Sequence, residues 1–155
     1  MLSRKAEDYL EAILNITEEK GHVRIKDIAI TLGVRPPSVV EMVNRLDKKD
    51  MVEYRKYDGV TLTKEGRAIA VVVKERHDII KSFLEIINVP EKIADTDACT
   101  MEHELHAITT TQIKNLVIFV KDAPEYPQWL KHFEDFCATG EHPCAGKEPG
   151  HKTNA

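Results

Sequence analysis

The chain has 155 residues but only three cysteines, Cys99, Cys137 and Cys144. An odd number with no secretion signal argues against a disulfide framework and favours reduced thiols or metal ligands. No stretch approaches the roughly 18 consecutive apolar residues of a membrane helix. Met1-Leu2-Ser3-Arg4-Lys5 leads into an amphipathic pattern, not an apolar signal core. The expectation is a cytoplasmic protein with no membrane partner. Internal repeats are lacking. So is a His-Glu-x-x-His pair, which argues against a small metallohydrolase using Glu102 as general base. There is no overall positive charge either. The formal net charge is -4, which taken alone weighs against a nucleic-acid partner.

What is present is an ordinary soluble composition, 42% apolar and 31% charged. Charge is uneven along it. From Gly21 to Lys64 nine basic residues face six acidic ones, leaving that window at +3 inside an acidic chain. This marks the window as the part that faces a polyanion.

Helical periodicity runs from about Arg4 to Thr17, with Ala6, Tyr9, Leu10, Ile13 and Leu14 on one stripe, Ser3 as N-cap and Gly21 as stop. A short helix follows from about Arg24 to Leu32, closed by Gly33. Proline is tolerated in a first helical turn, so Arg35-Pro36-Pro37-Ser38 opens a helix reaching about Lys49. Two short strands then flank Asp58-Gly59, a hairpin signal. Helix, short helix, helix and small hairpin, in that order, describe a winged helix-turn-helix. Beyond it the pattern predicts helices over about Thr63–Ile87, Asp95–Ile108, Thr109–Lys121 and Pro127–Cys137, then a flexible tail. Ala98, Met101, Leu105 and Ile108 form the expected core face of the second of these.

A recognition helix inserts its N-terminal half into the major groove. That places Pro36, Pro37, Ser38, Val40, Glu41 and Asn44 near base edges. Arg35, Arg45, Lys48 and Lys49 suit phosphates, as do Arg24 and Lys26 on the preceding helix; Arg55, Lys56 and Tyr57 lie at the wing. The same pattern also fits a solvated basic face on a protein-interaction domain, and Glu41 would repel phosphate while being able to accept from cytosine N4.

Cys99, Glu102 and His103 are spaced i, i+3, i+4 and share one helix face. Thiolate, carboxylate and imidazole together suit a transition metal such as iron(II), manganese(II), cobalt(II) or zinc(II). Polar helix surface explains the spacing equally well. In the first helix Asp8 and Glu11 fall on one side, opposite the apolar stripe. They could donate hard oxygens, or simply complement the helix dipole. His77, late in the long helix, reads as a surface or capping residue when taken alone.

These segments join in a resemblance. Ala6-Glu7-Asp8-Tyr9-Leu10-Glu11-Ala12-Ile13, Met42-Val43-Asn44-Arg45-Leu46, Tyr57 through Gly66, Glu75-Arg76-His77 and Asp97 through Leu105 resemble, in order, the diphtheria-toxin-repressor and manganese-transport-regulator family of metal-dependent repressors. The likeness covers roughly residues 4 to 120. It implies a mainly α protein in which the winged helix-turn-helix (1–65) precedes an all-helical metal-binding and dimerisation domain (66–137) and a tail (138–155), with no SH3-like third domain. It implies a homodimer that binds operator DNA when Asp8, Glu11, His77, Cys99, Glu102 and His103 hold Fe(II) or Mn(II). The sequence is a hybrid: iron-type members have the cysteine of Cys99 and manganese-type members the aspartate of Asp8, so both metals stay open. At the ancillary site of iron-type members, Lys81 and Asp95 stand where a glutamate and a histidine are expected. The tail offers Cys137, His142, Cys144 and His151, read mainly as incidental, with an additional zinc site as the alternative. The rival to metal control is a winged-helix regulator that answers an organic ligand or thiol oxidation, with Cys99 as sensor.

Overall fold

The computed structural model describes residues 2–146. Helix α1 spans Arg4–Lys20, α2 Ile25–Leu32 and α3 Pro36–Asp47, followed by strands β1 (Val52–Arg55) and β2 (Gly59–Leu62). Helices α4 (Lys64–Ile86), α5 (Glu91–Glu104), α6 (Ala107–Lys121) and α7 (Gln128–Thr139) complete the chain. The expected order and mainly α class are what the structure has.

Local chemistry explains the boundaries. The Ser3 side chain accepts a hydrogen bond from the Ala6 N–H, and Gly21 takes a left-handed conformation (φ 78°) that ends α1. Asp27 accepts from the Arg24 N–H and steadies the start of α2. Pro36 and Pro37 occupy the first turn of α3, where no intrahelical N–H is needed. The strands pair antiparallel, Val52 opposite Leu62 and Arg55 opposite Gly59. Two glycines hold this wing against the helices. A Cβ on Gly59 (φ 105°) would lie 2.3 Å from the Val23 carbonyl oxygen, and one on Gly66 would lie 1.8 Å from that of Met51.

Two apolar cores result. The larger joins α1, α2, α3 and the wing around Tyr9, Leu10, Ile13, Leu14, Ile28, Val39, Val43 and Leu46. Each such side chain contributes roughly 1.5–3 kcal/mol by leaving water. The smaller packs Ile80 and Leu84 of α4 on Ala94 and Ala98 of α5. Helix α4 therefore connects the two cores, and α1 also packs against it, with Lys74 paired to Glu18 across the contact.

One expectation is corrected. Helix α5 begins at Glu91 and ends at Glu104, about four residues before the expected span. Pro90 serves as its N-cap, so the proline that breaks α4 also starts the next helix at once. Ala98 is buried, Met101 and Leu105 are half-buried, but Ile108 falls in α6 and is 66% exposed, so it is no part of that core face. No described helix is long and apolar enough to cross a membrane.

Candidate metal centre and nucleic-acid interface

Helices α1, α4 and α5 bring the expected ligating residues together. His77, Cys99 and the Glu102 carboxylate offer donor atoms within 4.8 Å of one another, and so do Asp8, Glu102 and His103. Glu102 belongs to both groups. Its side chain is 1% exposed, with Oε2 lying 3.1 Å from His77 Nδ1 and Oε1 lying 3.0 Å from His103 Nε2. The second approach is off hydrogen-bonding geometry, so Oε1 is buried without a donor. A buried carboxylate oxygen with no donor is costly, and a coordinated cation removes that cost. The donor set of thiolate, imidazoles and carboxylates thus fits a divalent transition metal.

Glu11 is buried in α1, although spacing puts it opposite the apolar stripe. Helices α4 and α5 cover that second face. Burial raises its carboxyl to about 7, the Glu102 charge adding to the effect and His77 opposing it. Glu11 lies outside both donor triads but lines, with Asp8, His77 and Cys99, an open cleft of about 480 Å³. His77 is 9% exposed, so the surface reading of an isolated histidine does not hold. Its imidazole is pushed up to about 11 by the Cys99 sulfur first and the Glu102 carboxylate next, against the opposing effect of burial.

Three further acids lie at the site, and of these the sequence marks only Asp95, the residue at an ancillary-site position. Glu7 Oε2 lies 3.0 Å from His103 Nδ1, whose Nε2 faces Asp8 Oδ1 at 2.8 Å. Asp95 Oδ1 lies 3.0 Å from His77 Nε2, and Lys81 Nζ is 3.4 Å from that same oxygen. Asp78 lines the cleft. Asp95 precedes Cys99 by one turn, a helical signal already contained in the expected span from Asp95. Nothing in the spacing of Glu7 or Asp78 distinguishes them from ordinary helix acids.

In the winged-helix unit, Arg24, Lys26, Arg35, Pro36, Pro37, Ser38, Glu41, Asn44, Arg45, Lys48, Lys49, Arg55, Lys56 and Tyr57 are all exposed, and Val40 is half-buried. Glu41 pairs with Arg45 at 2.9 Å, which offsets the charge that looked awkward near a groove. Lys56 lies over the Tyr57 ring, 5.8 Å from its centroid. In the tail, Cys144 Sγ is 3.3 Å from His132 Nδ1, and His142 Nδ1 accepts from the Cys144 N–H. Cys137, His142 and Cys144 do not converge as three donors among the described residues, and His151 lies outside those residues.

Comparison with known proteins agrees with this layout. Residues 1–60 match the model of the iron dependent repressor N-terminal DNA binding domain, and residues 63–130 that of the iron dependent repressor metal binding and dimerisation domain. The HTH-type transcriptional regulator MntR of Bacillus pumilus is 39% identical over 131 residues, 84% of this chain and 91% of its own length. That of Bacillus subtilis is 38% identical over 134 residues, 86% and 94% of the respective chains. Among solved structures, a manganese-dependent transcriptional repressor in complex with manganese is 26% identical with a TM-score of 0.66, covering 74% of this chain and 53% of that one. The manganese regulator SloR is 29% identical with a TM-score of 0.64, covering 72% and 53%. These are transcriptional regulators, and the matched family is one of repressors rather than enzymes, so the hydrolase alternative falls away. The chain belongs to the iron-dependent repressor family of metal-dependent transcriptional repressors, with a DNA-binding domain followed by a metal-binding and dimerisation domain.

Proposed function

We propose that a homodimer of this chain represses transcription by binding operator DNA once Asp8, Glu11, His77, Cys99, Glu102 and His103 hold Fe(II) or Mn(II). The observation that carries the reading is Glu102: a buried carboxylate shared by two donor triads, with one oxygen lacking a donor. Asp8 and Glu11 come from α1, His77 from α4 and the other three from α5. When bound, the cation supplies positive charge that offsets the clustered carboxylates. The residues themselves fasten α1 of the winged-helix unit (1–65) to the helices behind it (66–137). Fastening α1 raises the population of the DNA-competent arrangement and with it the apparent operator affinity. Pro36, Pro37, Ser38, Val40, Glu41 and Asn44 then face base edges. Arg24, Lys26, Arg35, Arg45, Lys48, Lys49, Arg55, Lys56 and Tyr57 meet the sugar-phosphate backbone.

The test is operator binding by the purified dimer with iron(II), manganese(II), zinc(II) and no metal. Wild-type protein should bind tightly only with a metal, and Cys99→Ala combined with Glu102→Ala should remove that stimulation while circular dichroism stays unchanged. Metal-dependent binding by the double variant sinks the site. Native mass spectrometry of the same variant addresses Cys137, His142 and Cys144: zinc held by the tail is retained there when the main site is gone.

A further inference from the structure

Each histidine of the centre uses its two ring nitrogens in different ways. His77 turns Nδ1 toward Glu102 and Nε2 toward Asp95, at 3.1 and 3.0 Å. His103 turns Nε2 toward Asp8 and Glu102, at 2.8 and 3.0 Å, and Nδ1 toward Glu7 at 3.0 Å. In both rings one nitrogen faces the ligating carboxylates. The other faces a carboxylate that belongs to neither donor triad. The two nitrogens diverge, so an atom that serves one cannot serve the other. A neutral imidazole carries its proton on one nitrogen only, and a hydrogen bond at that nitrogen decides which.

We infer that Glu7 and Asp95 are positioning residues that select opposite tautomers, holding His77 as the Nε2–H form that ligates through Nδ1 and His103 as the Nδ1–H form that ligates through Nε2. The inference rests on the metal reading above. Each carboxylate accepts the N–H of its histidine, fixes the ring plane and raises the basicity of the ligating nitrogen. Asp95 is itself held: Lys81 Nζ lies 3.4 Å from its accepting oxygen and 3.6 Å from Glu91. Glu7 adds a second consequence. It sits on α1 whereas His103 sits on α5, so its hydrogen bond ties the two helices through a contact separate from the ligands.

The test uses the full-length dimer. Manganese(II) affinity and stoichiometry are read from the electron paramagnetic resonance signal of the free ion, and tautomers from long-range proton–nitrogen correlation spectra of the zinc-loaded protein. Glu7→Ala and Asp95→Ala should each weaken affinity by about 10- to 100-fold with the number of ions per protomer unchanged. Glu7→Gln and Asp95→Asn should lose less, because the amide oxygen still accepts an N–H. The spectra should show Nε2–H for His77 and Nδ1–H for His103 in the loaded wild type, and in each alanine variant the N–H of the affected ring, having lost its acceptor, should exchange faster with solvent. Affinities within twofold of wild type, a lost ion or the reverse tautomers overturn the inference. Wild-type protein that binds no metal overturns the metal reading itself, a different outcome from a loaded wild type with unaltered variants.

Discussion

Metal loading should expel protons, and the count should depend on pH in a way that identifies the groups. His77, raised to about 11 by Cys99 and Glu102, carries its proton throughout the physiological range while the metal is absent. A ligating imidazole must be neutral, so one proton leaves with every loading event. Each such proton makes affinity rise tenfold per pH unit, about 1.4 kcal/mol. Between pH 6.5 and 8.5 the His77 contribution is thus about 100-fold. Glu11, raised to about 7 chiefly by burial, adds a second proton below that pH and none well above it. The slope should therefore be steeper by one on the acid side of 7 than at pH 8.5. Calorimetric titration with manganese(II) in two buffers of different ionisation enthalpy counts the protons directly. His77→Gln is the control, since it removes one proton from the count and leaves those of any other ligand. An unchanged count in that variant, or a slope that stays flat across pH 7 in the wild type, refutes the assignment of these two groups.

Four further outcomes follow from the same structure. Protein stripped by chelator should lose stability as pH rises from 6.5 to 8.5. A raised histidine stabilises the fold fully below its unfolded value near 6.5 and loses that contribution on the way to about 11. The loss of about 2 kcal/mol corresponds to a melting point lower by roughly 4–8 °C, readable by calorimetry. Gly66→Ala should destabilise the wing by about 1–3 kcal/mol or more in urea melts, on the order of an overpacked core, because its Cβ meets the Met51 backbone oxygen, which no side-chain rotation can move away. Tyr9→Phe should leave stability unchanged or raise it by about 1 kcal/mol, since the buried Tyr9 hydroxyl has no hydrogen-bond partner. Lys48→Ala and Lys49→Ala should each weaken operator binding across all sequences and reduce the salt slope by about one, which binding curves at several salt concentrations measure.

Sequence alone was enough for the winged-helix unit because its signals are local. Proline can stand only in the first turn of α3, glycine stops α1 and α2, and a residue pattern of period 3.6 gives way to two short strands around Asp58-Gly59. The face shared by Cys99, Glu102 and His103 was equally legible, since helical spacing needs no knowledge of the rest of the chain. The start of α5 was not, because Pro90 reads as a breaker when it is also a cap. Tertiary structure alone decided the remaining features of the site. Whether Glu11 and His77 are surface residues or buried ones depends on α4 packing on the second face of α1 and on α5 reaching it through His103. The burial of Glu102, the absence of a donor at its Oε1 and the meeting of Glu7 with His103 likewise arise between helices far apart in sequence. Local spacing can put a ligand on a face; only packing determines what lies opposite it and whether water remains to satisfy it.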